Sequence, residues 1–222
     1  MKQRQIRVAP LVYWLARVSP ALFRVARPPW QMLKRALRLN PGAEKRRAMR
    51  YYAEAVRLAR AYEPDGRSAL DVGAHDTVLS RLPSFRRRVA LDLKYVPPLA
   101  GIEVVLLDFM QYEPPIYFDL VLCLEVLEHL DDPRAFAAKL LRTGRTVIVS
   151  VPYKWPHGAC PGHKQDPVDE RKLESWTQCE PLETSIVDDG SERLFAVYRR
   201  PNGDPDVLQR GVGVDRRRRT SP

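Results

Sequence analysis

Three aspartates, Asp71, Asp92 and Asp108, each close a short apolar run: Ser68-Ala-Leu-Asp71 leading into Val-Gly73, Arg88-Val-Ala-Leu-Asp92, and Glu103-Val-Val-Leu-Leu-Asp108. Asp119 and Glu125 accompany the next run. A carboxylate accepts hydrogen bonds from hydroxyls and amines, and ligands of open α/β sheets bind where the parallel strands end. Strand-end carboxylates in series therefore imply one rim that holds a ligand carrying such groups. In Leu70-Asp-Val-Gly-Ala-His-Asp-Thr77 a strand runs into a glycine-containing turn, where backbone amides can approach a ligand. Asp92 stands twenty-one residues past Asp71, at the end of the next run. From that place an acidic side chain accepts both hydroxyls of a ribose in dinucleotide-binding sheets.

Other side chains suit proton transfer. Histidine is matched to neutral pH, and His129 closely follows the fourth apolar run. It reads either as a base or as a buried, hydrogen-bonded support of its turn, and Glu125 and Glu128 share that ambiguity. The stretch from Val151 to Asp169 concentrates Tyr153, Trp155, His157 and His163. A metal reading of His157, His163 and Asp166 lacks the tight ligand spacing of a zinc motif, so no metal site is expected.

These residues need a sheet to position them. From Ser68 onward short apolar runs alternate with turns and helical stretches, which argues for βα units and a parallel sheet. Phe118-Asp-Leu-Val-Leu-Cys-Leu124 is the fourth strand, and a helix from Pro133 to Arg142 follows Asp132 as cap. Arg145 to Val151 is the fifth strand, residues 152–167 a loop, and Val168 to Trp176 a short helix. Leu182 to Val187 and Leu194 to Arg199 form a terminal antiparallel pair around Asp188-Asp-Gly-Ser191. The expected class is α/β, a Rossmann-like doubly wound sheet, mostly parallel with a C-terminal antiparallel strand pair. The expected organisation is a basic amphipathic segment over 1–42, a main domain over 43–200 opening with a helix from Ala43 to Tyr62, and a disordered basic tail over 201–222.

The charge is concentrated. The net +10 of the 222 residues arises in the first fifty, where 13 Lys and Arg face Glu44 alone, so the remainder is close to neutral. Within this segment Trp30, Leu33 and Leu37 share a helical face beside Lys34, Arg35 and Arg38. Two readings stand: solvated helices capping the core or lining a substrate pocket, or an interfacial membrane or acidic-partner segment through residues 1–40. No apolar run approaches the roughly 18 to 20 residues of a membrane-spanning helix. Arginines also recur where a secretory signal would be apolar. The odd, dispersed Cys123, Cys160 and Cys179 fit a reducing compartment. A cytoplasmic location is expected, with peripheral membrane attachment as an extension of it.

The run of strand-end acids, together with Phe118-Asp-Leu-Val-Leu-Cys-Leu-Glu-Val-Leu-Glu-His-Leu-Asp-Asp-Pro133, resembles the class I S-adenosylmethionine-dependent methyltransferases, in particular the compact bacterial small-molecule type. The likeness spans about Tyr51 to Arg199, and the terminal strand pair fits the family's sixth and seventh strands. It implies S-adenosylmethionine as cofactor. The methionine end would lie at Asp71, Gly73, Ala74 and His75, the ribose at Asp92 and Leu93, and the adenine at Asp108 and Phe109, with Leu124 touching the cofactor from the fourth strand end. It also implies a small-molecule acceptor, methylated on oxygen, between the 152–167 loop and the N-terminal segment, with His129, His157 and Tyr153 as candidate catalytic residues. The first turn departs from the family pattern, carrying His75 and Thr77 where small residues are usual. Two alternatives are a methyltransferase-like protein that binds a membrane or partner without catalysis and a nucleic-acid methyltransferase. Cys123-Leu-Glu-Val126 stands where many base-methylating enzymes carry an Asn-Pro-Pro-Tyr type motif, which disfavours the latter.

Overall fold

A computed structural model describes residues 49–199 apart from 76, 95, 97 and 98. The segments 1–42 and 201–222, with their expected membrane, partner and tail roles, lie outside the described residues, as does the 43–48 start of the first expected helix.

The first described helix, α1 (Arg50–Tyr62), buries Tyr51, Ala55, Leu58 and Ala59 along one face. It has no local side-chain cap. Instead the Asp189 carboxylate, from the turn of the terminal hairpin, accepts from the Arg50 and Tyr51 amides at 2.8 and 2.9 Å, satisfying two of the donors a helix start leaves open. Seven strands follow: β1 (Ser68–Val72), β2 (Arg87–Asp92), β3 (Glu103–Leu106), β4 (Phe118–Leu124), β5 (Gly144–Pro152), β6 (Glu183–Asp188) and β7 (Glu192–Arg199). They form one sheet in the order β3-β2-β1-β4-β5-β7-β6. The first five pair in parallel, and β7 runs antiparallel to both β5 and β6. The sheet is thus mostly parallel with an antiparallel C-terminal pair, and helices cover both faces, as the sequence pattern predicts. Central β1 is buried along its whole length, while edge strand β6 alternates between half-buried and exposed positions, as expected of strands covered on two faces and on one.

Strand alternation sorts the core. Leu70, Val72, Val121, Cys123, Val147 and Val149 face α2 (Pro133–Thr143) and α3 (Glu170–Thr177). Ala69, Leu120, Leu122, Ile148, Phe195 and Val197 face the side packed by α1. Both later helices carry aspartate caps: Asp132 accepts from the Ala135 amide and Asp169 from the Lys172 amide, each at 2.9 Å.

The crossovers on the β1–β2–β3 side are leaner than the βα alternation predicts. Between β1 and β2 there is one 3₁₀ turn, Val78–Arg81, and between β2 and β3 no helix occurs among the described residues. The first link is short and carries Pro83, which cannot continue a helix, so the Thr77 hydroxyl caps a single turn by accepting from Leu79 N at 3.1 Å. No helix among the described residues is long and apolar enough to cross a membrane.

Candidate functional site

The strand order reverses between β1 and β4, and their outgoing turns meet there. Gly73 takes φ +79°, and a Cβ on it would lie 2.3 Å from Val126 Cγ2, so glycine is required both for the backbone and for the close approach. The turn is pinned inward. Gly73 N and Ala74 N both donate to the Leu91 carbonyl at 2.8 and 3.1 Å, and His75 N donates to the Gly73 carbonyl at 2.9 Å. Three amides of the expected cradle are therefore engaged within the protein. The His75 side chain is exposed.

Asp71 is 3% exposed, and the Thr77 hydroxyl donates to its Oδ2 at 2.5 Å. Burial pushes its pKa up to about 7, against the lowering effect of the Thr77 hydroxyl and the Val78 amide. Thr77, which departs from the glycine pattern, thus serves the fold by tying Asp71 to the following turn.

Asp92 and Asp108 are placed differently. Each is half-buried at the end of its strand and bonds an amide two residues on: Asp92 Oδ1 accepts from Lys94 N at 2.7 Å, and Asp108 Oδ1 from Met110 N at 2.8 Å. The Leu107 amide donates to the Asp92 carbonyl at 3.1 Å, locking the two strand ends together. Among the described residues neither Oδ2 receives a hydrogen bond. Leu93, 71% exposed, with Leu106 and Met110, gives this rim an apolar surface. Phe109 does not contribute a ring to it. Its side chain is buried 4.9 Å from the Phe136 ring, so only its backbone can face a ligand. Leu124 is half-buried at the end of β4. Asp119 lies at the other end of that strand, accepting from the Arg67 and Ser68 amides, away from the rim.

The most densely charged part of the carboxyl edge follows β4 and β5. Glu125 turns out of β4 with φ +57°, an unusual conformation for a side-chain-bearing residue. Its amide donates to the Ser150 carbonyl, and its carboxylate takes the Ser150 hydroxyl at 3.0 Å and Arg193 Nε at 3.1 Å. Glu128, three residues on, is completely buried, and neither carboxylate oxygen has a hydrogen-bond partner. Burial, with the Glu125 charge in addition, raises its pKa well above the carboxylate range. Burial likewise raises that of Glu125, opposed by Arg193.

The 152–167 loop docks on this segment, with Lys164 N and Gln165 N donating to the Glu128 carbonyl at 2.8 and 3.2 Å. Docking brings His163 beside Glu128 and His129, with the two imidazoles edge to face at 4.7 Å. One ligand atom from each of Glu128, His129 and His163 lies within 4.8 Å of the others.

Of the candidate catalytic residues, only His129 belongs to this cluster. The Tyr153 hydroxyl donates to Glu170 at 2.9 Å, and His157 is exposed on the loop and makes no hydrogen bond or ion pair with the cluster among the described residues. Tyr153 and Trp155 instead line a cleft of about 490 Å³ with Lys154, Asp188 and Glu192. His163 and Asp166 do meet, at 2.7 Å, but their neighbours are Glu128 and His129, and His157 is not among them. Glu128 could be singled out in sequence only as one acid among several. Its orphaned state arises from a loop packing thirty-five residues downstream.

No family model matches the chain, and no curated protein is significantly similar to it. Solved structures do match. The N-methyltransferase NodS from Bradyrhizobium japonicum WM9 aligns with 74% of this chain and 99% of its own at 19% identity and a TM-score of 0.57. The 1,6-didemethyltoxoflavin-N1-methyltransferase of Burkholderia thailandensis, solved with S-adenosylhomocysteine, aligns with 83% and 92% at 17% identity and a TM-score of 0.60. SpnF, a [4+2]-cyclase, aligns with 66% and 81% at 14% identity and a TM-score of 0.52. The chain has the fold of the class I S-adenosylmethionine-dependent methyltransferases. SpnF illustrates that this fold also carries other chemistry, so the reaction has to be argued from the site.

Proposed function

We propose that the protein transfers a methyl group from S-adenosylmethionine to a small-molecule acceptor, with an oxygen as the acceptor atom. The observation that carries this reading is the pair Asp92 and Asp108, each anchored through Oδ1 and with Oδ2 unbonded among the described residues, beside exposed Leu93 and Met110 at the switch-point edge. Asp92 would accept the ribose hydroxyls, Asp108 the adenine amine, and the leucines would pack the base. The bound sulfonium supplies an activated methyl group, so the chain's own work is to align the acceptor, exclude water and receive a proton. An oxygen acceptor is favoured because a hydroxyl attacks well only as it loses its proton, and proton-accepting groups gather after β4 and β5 on the same edge.

Calorimetric titration with S-adenosylmethionine tests the cofactor claim. Saturable binding that Asp92→Ala weakens at least tenfold is expected, since each hydrogen bond to the carboxylate contributes about 1.5–3 kcal/mol. Absence of heat in the wild type, or equal affinity in the variant, overturns it. Incubation with labelled cofactor and a fractionated extract then identifies the methylated atom.

A second reading, a methyltransferase-like binding protein without catalysis, draws on the first turn, where the Gly73, Ala74 and His75 amides are spent internally. It predicts no cofactor binding, together with adsorption to anionic vesicles that is lost when residues 1–40 are removed. Peripheral attachment on the cytoplasmic side of a membrane belongs to this reading.

A further inference from the structure

Glu128 sets a physical problem. A fully buried carboxylate with no hydrogen bond to either oxygen is costly, and the charges around it do not balance. Glu125 is matched by Arg193 at 3.1 Å. Asp166 accepts from His163, but its Oδ1 also lacks a partner. With neutral imidazoles and all three acids ionised, the form in which Glu128 would ligate a cation, the cluster Glu125, Glu128, Asp166 and Arg193 carries a formal charge of −2.

The two histidines resolve the question of what is missing. His129 Nδ1 lies 3.0 Å from the Gly162 carbonyl, which can only accept, so Nδ1 carries the proton and Nε2 presents its lone pair. His163 Nδ1 lies 2.7 Å from the Asp166 carboxylate, which fixes the same tautomer. Both Nε2 atoms lie near the same carboxylate oxygen, 3.9 and 4.0 Å from Glu128 Oε1. Imidazoles that ligate a metal characteristically donate their other ring N–H to a carbonyl or a carboxylate, and here one does each.

We propose that Glu128, His129 and His163 form a binding site for one divalent first-row transition ion of the zinc, manganese or iron type. Two imidazole nitrogens and one carboxylate oxygen are the donors such ions prefer, whereas calcium and magnesium take oxygen sets. The charge of the ion matches the local deficit. Metal bonds of about 2.0–2.2 Å require donors closer together than 3.9 Å, so binding draws the three side chains inward. Three protein ligands would leave a coordination position open, and an ion held there could bind an acceptor oxygen and ease the loss of its proton. The binding claim itself does not depend on the methyl-transfer reading.

The test uses the full chain, stripped of metal, with Co²⁺ as a spectroscopic probe and Zn²⁺ and Mn²⁺ by calorimetry. One equivalent is expected to bind with visible d–d absorption and to raise the melting temperature. Glu128→Gln and His163→Ala should each weaken uptake at least tenfold, and Asp166→Asn, acting through His163, by about 10–100-fold. Asp131→Asn, an exposed acid close by in sequence, should bind like wild type. No saturable uptake of any of the three ions, or equal uptake by a folded Glu128→Gln protein, overturns the proposal. Titrating S-adenosylmethionine into the metal-free chain separates the two claims: cofactor binding without metal uptake overturns this site alone, and metal uptake without cofactor binding overturns only the methyl-transfer reading.

Discussion

Strands β4 and β5 carry a polar cluster at each end, and the two are built on opposite terms. At the amino end, Glu63 is buried and fully engaged: Oε1 accepts from Arg145 Nε at 3.1 Å, Thr146 Oγ1 at 2.5 Å and Arg199 Nη2 at 3.3 Å, and Oε2 accepts from Arg145 Nη2. Asp119 takes the Arg67 and Ser68 amides and the Ser68 hydroxyl, and its other oxygen lies 3.2 Å from Arg145. Two acids meet two arginines. At the carboxyl end three acids meet one arginine, and neither carboxylate oxygen of Glu128 has a hydrogen-bond partner. A satisfied network holds a fold together, whereas an unsatisfied one persists when something outside the chain completes it. The difference separates the end that ties the strands from the end proposed to receive ligands.

The two ends should also respond to pH with opposite sign, and this is the largest expected effect. Asp71, on the carboxyl edge, is pushed up to about 7 in the fold by burial, against an ordinary 3.8 in the unfolded chain. Below pH ~4 both states hold the proton. Between ~4 and ~7 the unfolded state releases it and the native state does not, so stability falls as pH rises, at up to about 1.4 kcal/mol per pH unit. Over that window the loss approaches about 4 kcal/mol. Asp119 works the other way. Burial raises its pKa, but the Arg67 and Ser68 hydrogen bonds and the nearby Arg145 outweigh burial and leave it lowered. Its contribution is present above the unfolded pKa and is lost as pH falls. Urea denaturation of wild type and Asp71→Asn between pH 4 and 8 separates them: the variant should show a shallower decline above pH 4, the remainder belonging to buried Glu125 and Glu128, and keep the acid limb. A decline undiminished in Asp71→Asn assigns it elsewhere.

Glu63→Gln is next in size. It leaves Arg145 and Arg199 facing a neutral amide. Breaking a buried ion pair costs about 3–5 kcal/mol, and because both arginines are partly exposed the expected loss is about 2–3 kcal/mol, read as a drop in urea midpoint.

Much of this contrast was legible in the sequence and some of it was not. Strand ends at Asp71, Asp92 and Asp108 follow from apolar runs closed by acids, and the terminal hairpin from two β-patterned segments around Asp188 to Ser191. These are local signals, and local patterning sets strand position. The first crossover departs from the βα alternation because Val78, Leu79 and Leu82 are spaced like a helix start, yet residues 77–86 hold only one 3₁₀ turn before Pro83. Phe109 looked like a rim residue by position, and its ring turned out to be core, since the chain direction after a strand end does not reveal which way a side chain packs. The Glu128 cluster was the least legible. It depends on Gly162, His163 and Asp166 returning from a loop whose path no periodicity encodes, and on the left-handed turn at Glu125, which sequence propensity argues against.

The same substitution placed at the other end should reverse the sign, though the effect is smaller. Glu128→Gln removes a buried carboxylate that no donor satisfies and keeps its volume. The metal-free variant should therefore be more stable than wild type by about 1 kcal/mol, since an unsatisfied buried polar group costs about 1–3 kcal/mol and the amide remains partly unpaired. Urea midpoints for Glu63→Gln and Glu128→Gln under one set of metal-free conditions then give the comparison directly. If both fall, the carboxyl-end cluster is a structural network like its counterpart, and Glu128 is satisfied by ordered water in solution. If they move apart, Glu128 is held against its own folding preference. A buried side chain that lowers stability and is surrounded by two imidazoles with their lone pairs turned toward it is then accounted for by what it binds, and the gain in Glu128→Gln stability measures what the fold gives up to keep that site open.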